Sequence, residues 1–367
     1  MKSLSYLNKY FFKYKWHFIL GIVFIIGQNY FKVKMPDYTK DVINDLTDGV
    51  QADDVVMSAL FVGLIYAGLS LAAGVFLFFQ RQSIIIMSRH IEFDLKNEIY
   101  GQYQKLGYTF YKKNSTGDLM NRISEDVSKV RMYLGPSMMY SINLVVLTVM
   151  VVMNMLTMDP VLTVFVLIPL PIMSVVIYKV SSKMNQLSTV VQEEQSHMST
   201  LAQEYFSGIR VVKAYARNKE VVEKFNESAD RYKNKNMRLV LVNALFIPTI
   251  FLLIGLSTIL CIYLGGIFYG QGRINLGEII AFVIYINLLT WPFASIGWVT
   301  SLVQRASASQ TRINEFLEEK SEIVNTNNSP IDFQGTIEFK DVSFTYETSG
   351  IEAIKNLSFK ISKGETL

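Results

Sequence analysis

Twenty-five consecutive residues, Val55 to Phe79, carry no charge. A helix needs about 20 apolar residues to cross some 30 Å of hydrocarbon. Four more uncharged runs have the same character: Met132 to Thr157, Pro160 to Tyr178, Leu239 to Gln271 and Ile279 to Val303. A soluble helix of this kind would have no polar face to turn to water, so each run reads as a transmembrane helix. Phe18 to Phe31 is shorter and contains Gln28 and Asn29. It reads as the first span because six spans, unlike five, agree with the placement of charge. Composition fits: 50% of residues are hydrophobic and 18% charged, against about 25% charged in soluble domains.

Lys and Arg mark the cytoplasmic side of a membrane protein. Lys2, Lys9, Lys13 and Lys15 precede the first span, and nine cations lie between Arg81 and Arg131. Segment 179–238 is richer still, whereas the opposite loops are short or acidic, with Asp37, Asp41, Asp45, Asp48, Asp53 and Asp54 in the first. Both termini and both long loops are therefore expected in the cytoplasm, in a multi-pass inner-membrane protein. The cations sit at membrane boundaries and alternate with acids, which speaks against a nucleic-acid surface. No small-residue cleavage site follows Phe31, so no cleavable signal is read. Lys2 to Lys15, with Leu4, Leu7, Tyr10, Phe11 and Tyr14, reads as an interfacial helix. Cys261 is the one cysteine, and His17, His90 and His197 are far apart, so neither a disulfide framework nor metal-ligand spacing is present.

The two long basic segments show helical stripes. Ile91, Leu95 and Ile99 form one, Leu119, Ile123, Val127, Val130 and Leu134 another, and Val221, Phe225 and Tyr232 a third. The spans should continue into the cytosol as packed rods, some 20 residues or about 30 Å long. Asn114 to Asp118 is a turn and cap cluster where the first pair reverses. Asp159-Pro160 places an N-cap before a first-turn proline, and Asn275 with Glu278 reads as a capping box. Trp291-Pro292 is expected to kink the last span.

No carboxylate or lysine lies in the middle of a span. Embedded ionisable groups are costly and kept for function, so their absence argues against proton-driven transport. The polar groups in the spans are uncharged: Gln28, Asn29, Asn143, Asn154, Asn243 and Asn287. They can bond helix to helix or line a cavity, for which Asn143, Asn243, Asn287 and Trp291 are the candidates. Beyond residue 317 the texture changes. Residues 318–334 read as a linker, and 335–367 as strand, turn and strand, with alternation at Ile337 and Phe339, Phe344 and Tyr346, and Leu357, Phe359 and Ile361.

Four stretches resemble one family. Phe110 to Val127 contains Thr116-Gly117 before Leu119 and Arg122 ahead of Asp126-Val127. Glu204 to Tyr215 reads Glu-Tyr-Phe-Ser-Gly-Ile-Arg-Val-Val-Lys-Ala-Tyr. Ala306 to Leu317 carries Arg312-Ile313 before Phe316-Leu317, and Ile337 to Tyr346 is followed by Leu357 to Ile361 and Lys363-Gly364-Glu365. Together they are similar to the membrane half of an ATP-binding-cassette exporter, with 1–317 as its transmembrane domain. The implied fold is an all-α bundle of six long transmembrane helices with cytoplasmic extensions, then the first β-strands of an α/β nucleotide-binding domain.

The resemblance implies ATP and Mg2+ as the energy source, Tyr346 as a platform for adenine, and coupling segments at Ser115, Thr116, Gly117 and Asp118 and at Gly208, Arg210 and Lys213. A G-x-x-x-x-G-K-[ST] motif is absent from the 367 residues, and the family would place it just past Leu367, so a fragment of a longer protein is expected. The function implied is ATP-driven export or flipping across the bacterial cytoplasmic membrane by alternating access, by one half of a homo- or heterodimer. A scaffold or regulator with a non-hydrolysing motor is the other reading. Beyond the lipid bilayer and the second half, the partner is a small-molecule, lipid or peptide substrate, whose identity is not encoded in such a fold.

Overall fold

The computed structural model describes residues 2–47, 52–321, 335–346 and 350–366. The chain divides into two compact units, Met1–Glu319 and Lys320–Leu367. The first is helical and, among the described residues, contains six helices long and apolar enough to cross a membrane. They are Lys15–Thr47, Ala52–Lys105, Thr116–Met158, Pro160–Ser207, Asn218–Gly270 and Leu276–Glu318, called here the first to sixth spans. The second unit is a two-stranded sheet. The chain is a multi-pass membrane protein.

The expected rods are present. The second span runs unbroken for 54 residues and the fifth for 53. At the basic end of the bundle, Met87, Ile91, Leu95 and Ile99 of the second span pack on Val127, Val130 and Leu134 of the third and on Ile313 and Phe316 of the sixth. These are the stripes in the sequence, now one core. A second core fills the apolar region, where Leu162, Val166, Met173 and Ile177 of the fourth span meet Phe282, Tyr285 and Leu289 of the sixth. The long extensions of the fourth and fifth spans form a hairpin, joined by His197 and Ser228 at 3.3 Å. Most of its other side chains are exposed or half-buried.

Two readings need correction. Asp37, Asp41 and Asp45 are not in a loop, because the first span continues as helix to Thr47, through Pro36. Their spacing of four puts them on one helical face, and Asp37 is held by Lys34 at 2.9 Å and by the Tyr285 hydroxyl at 2.9 Å. Asp48 and most of the 318–334 linker lie outside the described residues, as does the turn at Glu347. The N-terminal segment, helical over Lys2–Leu7 and Asn8–Lys13, is more than an interfacial helix. Leu7 and Tyr10 are buried in the core of the basic end. The hydroxyls of Tyr6 and Tyr10 and the ammonium of Lys9 all donate to the Glu98 carboxylate. Burial, together with these bonds, pushes both phenols well above the usual 10.0.

The third span departs from a regular helix twice. Arg122–Asp126 and Tyr133–Ser137 are wide π-type turns. Pro136 sits in the second, where a normal turn would set its ring against the carbonyl four residues back; the wider turn gives it room. Gly135 beside it approaches Ser88 so closely that an added Cβ would lie 2.8 Å from the serine hydroxyl. By contrast, the sixth span runs on through Pro292 as one helix.

Caps form where the sequence places them. Asp159 accepts from the Leu162 amide at 2.7 Å, opening the fourth span, and is paired with Arg273 at 2.6 Å. Asn275 and Glu278 form a complete capping box. In the sheet, strand β1 (Ile337–Thr345) pairs antiparallel with β2 (Glu352–Ile361). Phe339 stacks on Phe359 at 4.4 Å. The register shifts between Phe339 and Val342, where Asp341 adopts φ 49° and its amide turns to the Ser358 hydroxyl at 2.8 Å.

Candidate functional site

The basic end of the bundle carries two exposed tips. At the first, short helices Tyr108–Lys113 and Thr116–Asn121 join the second span to the third. Ser115 caps the latter by accepting from the Asp118 amide at 3.3 Å, and Asp118 lies in its first turn, where the helix dipole favours an anion. Ser115, Thr116 and Gly117 are exposed, and Gly117 has open space around it. Tyr103 ties the tip to the second span by donating to the Leu119 carbonyl at 2.6 Å.

At the second tip Gly208 ends the fourth span, and Ile209–Ala214 forms a single short helix before the fifth. Gly208 has φ −92°, so left-handed backbone is not the reason for glycine. Arg210 and Lys213 are exposed. Beside them Phe206 is 76% exposed and Tyr215 75%, with Val211 also open. Large apolar side chains gathered in this way beside cations are not typical of a surface that faces only water.

Behind the first tip lies a charged cluster that local sequence did not reveal. Asp126, at the end of the first π turn, is only 2% exposed. Burying a carboxylate is costly unless it is paired and hydrogen-bonded. The Ser309 hydroxyl donates to it at 2.9 Å, Lys129 lies at 3.6 Å, and Arg312 reaches its other oxygen at 3.4 Å. The same guanidinium holds Asp118 at 2.6 Å, and Arg122 pairs with Asp118 at 2.8 Å. One helical turn further, Phe316 packs against Tyr103, Phe110 and Arg122. Arg122, Asp126 and Arg312 each stood inside a recognised stretch. Their meeting, across some 190 residues, has no local signal.

The polar groups of the spans separate into two sets. The Asn29 amide donates to Asn143 at 2.9 Å and so joins the first span to the third. Asn154 and Asn287 bond the carbonyls of Met150 and Val283 in their own helices. Asn243, Asn287 and Trp291 are exposed in the single chain, whereas Asn143 is half-buried at its contact with Asn29. In the second unit Tyr346 follows β1. Its amide donates to the Ile351 carbonyl at 2.9 Å, its ring meets Phe344 edge-on at 5.0 Å, and it is 47% exposed.

Residues 18–293 match the family of the ABC transporter transmembrane region. The chain belongs to this family. A probable multidrug resistance ABC transporter ATP-binding/permease protein, YheI of Bacillus subtilis, is 29% identical over 98% of this chain and 61% of its own length. The multidrug resistance-like ATP-binding protein MdlA of Buchnera aphidicola subsp. Baizongia pistaciae is 28% identical over all of this chain and 63% of its own length. MdlA of Escherichia coli is 29% identical over 76% of this chain and 48% of its own length. The chain thus spans about three-fifths of the first two of these relatives. The two tips and the charged cluster lie at the same end of the bundle; the matched segment covers both tips and Asp126, and Ser309 and Arg312 follow it.

Proposed function

We propose that the complete protein is an ATP-driven exporter of amphipathic small molecules, of which this chain supplies the membrane half. The observation that carries the reading is the second tip: Phe206, Val211 and Tyr215 exposed around Arg210 and Lys213 on a short helix at the end of two long rods. Such a tip is built to seat in another protein surface, and a motor domain is the partner that an ABC transporter offers. Ser115, Thr116, Gly117 and Asp118 form the companion contact at the first tip.

The Lys and Arg content of the tips supports a basic end that is cytoplasmic, and with it cytoplasmic termini. A second half, identical or homologous, completes the pathway. Asn243, Asn287 and Trp291, exposed in one chain, then face a shared cavity that opens alternately to each side, with Asn143 behind them holding the first and third spans together. Tyr346, half-exposed at the end of β1, offers a flat ring on which adenine can stack. The phosphates and Mg2+ are held by motifs that these 367 residues do not contain. The relatives named for multidrug resistance support amphipathic cargo.

The test is uptake of ethidium into inside-out membrane vesicles containing the full-length protein. ATP-dependent uptake that vanadate abolishes is expected, together with ethidium-stimulated ATP hydrolysis. Hydrolysis with no response to any amphipathic cation, and no uptake, would refute the proposal.

A further inference from the structure

The charged cluster behind the first tip joins two parts of the chain that the exporter reading treats separately. One is the first tip itself, which the exporter reading seats against the motor. The other is the foot of the sixth span, residues 309–316, from which the chain leaves the bundle toward the second unit. We propose that Arg312, gripping Asp118 and Asp126 together, interlocks the first tip with the foot of the sixth span, so that both convey the same motor movement. The inference rests on the exporter reading and adds to it a positioning residue.

Three features carry it. First, Arg312 spans the π turn: Asp118 precedes Arg122–Asp126 and Asp126 closes it, and one guanidinium holds both, at 2.6 and 3.4 Å. Only arginine presents such a planar fork of donors; lysine serves one carboxylate at a time. Secondly, the buried Asp126 has its hydrogen-bond donor on the sixth span, in Ser309, and its other oxygen has no hydrogen bond and faces Arg312. Separating the two spans would strand this charge, so the contact resists opening. Thirdly, Phe316 closes the lower side against Tyr103, Phe110 and Arg122. A wide helical turn, where backbone bonding is looser, is thus pinned on both flanks from one neighbouring helix.

The experiment uses the full-length protein in liposomes, with ethidium as the probe. Asp126→Asn and Arg312→Lys are made singly and together; each substitution nearly keeps the size of the side chain, and an asparagine in place of Asp126 can still accept from Ser309. Apparent KM for ATP and basal hydrolysis should stay close to those of the unmodified protein. Ethidium uptake per ATP hydrolysed should fall about fivefold or more in each single variant, the scale of measured coupling between sites. The double variant should lose less than the product of the two single losses, because both act on the Arg312–Asp126 pair. The inference is overturned if uptake per ATP is unchanged, if the two losses multiply, or if uptake and basal hydrolysis decline in parallel. An unmodified protein that neither hydrolyses ATP nor moves ethidium would instead remove the exporter reading, and the interlock with it.

Discussion

Gly277→Ala should loosen the end of the bundle opposite the tips. Gly277 is the second residue of the sixth span, where the span starts against the first. Its amide donates to the Asn44 side chain at 3.0 Å. A Cβ built there would lie 2.3 Å from the Lys40 carbonyl oxygen and 2.6 Å from the Asn44 amide oxygen. The first of these is backbone, so the two helices must separate. Overpacking of this kind costs about 1–3 kcal/mol, and loss of the Asn44 bond about 0.5–1.5 kcal/mol. Alanine returns up to about 1 kcal/mol of helix propensity, less so in a first turn. The net is a loss of about 1–4 kcal/mol, or several degrees in melting temperature. Gly266, inside the fifth span, provides the control: nothing lies within 4 Å of its Cβ position, and Gly266→Ala should hold or raise stability. The assay is thermal denaturation of detergent-solubilised protein followed by size exclusion. If Gly277→Ala melts at or above the unmodified protein, the close approach of the two helices is wrong.

Glu98→Ala leaves two phenols and an ammonium without their acceptor; bonds to a charged group are worth about 1.5–3 kcal/mol each at most, so hydrogen exchange over residues 2–14 should rise sharply. The same attachment is alkali-labile: Tyr6 and Tyr10 hold their protons more tightly folded than unfolded, so their contribution is intact below pH 10.0 and fades as pH climbs through the raised folded values. Tyrosinate absorbance with exchange over the same residues would check this; release below pH 9 would contradict it. Asn29→Leu and Asn143→Leu should each cost little and the pair show a coupling near 0.6 kcal/mol, the usual size of a hydrogen bond between spans, measured as a double-mutant cycle in unfolding. In the full-length protein Tyr346→Ala should weaken ATP binding severalfold while Tyr346→Trp preserves it, because stacking needs a flat ring; equal behaviour in nucleotide titrations would make Tyr346 an ordinary strand residue.

The spans were legible because length without charge has one physical outcome. The stripes from Ile91 to Ile99 and from Leu119 to Leu134 were legible for a similar reason, since helical spacing names a face even when its partner is unknown. Where two partners suit one face, the sequence is ambiguous: Leu4, Leu7 and Tyr10 fit lipid as well as protein, and only the convergence of Tyr6, Lys9 and Tyr10 on Glu98 decides. Asp37, Asp41 and Asp45 suggested a loop through their composition, though their spacing of four already spelled helix. The π turns left no trace in periodicity: one accommodates Pro136, and the other lies between Asp118 and Asp126, which Arg312 bridges only in the fold. That cluster joins residues some 190 positions apart, a distance at which pattern says nothing and only folded geometry does.

The unbroken second span has a consequence in angular terms. Its uncharged stretch ends at Phe79 and the helix continues to Lys105, which at about 1.5 Å per residue places its far end about 40 Å beyond the hydrocarbon. A helix held in a slab about 30 Å thick turns about a pivot near its middle, about 55 Å from that end, so a tilt of roughly 10° sweeps the end through about 10 Å, while side chains near the pivot move by an ångström or two. Run in reverse, the ratio converts a broad sweep at the tips into a fine, forceful adjustment among the spans. A glycine or proline placed midway, near Ser88, would bend the arm and spend the sweep before it reached the membrane.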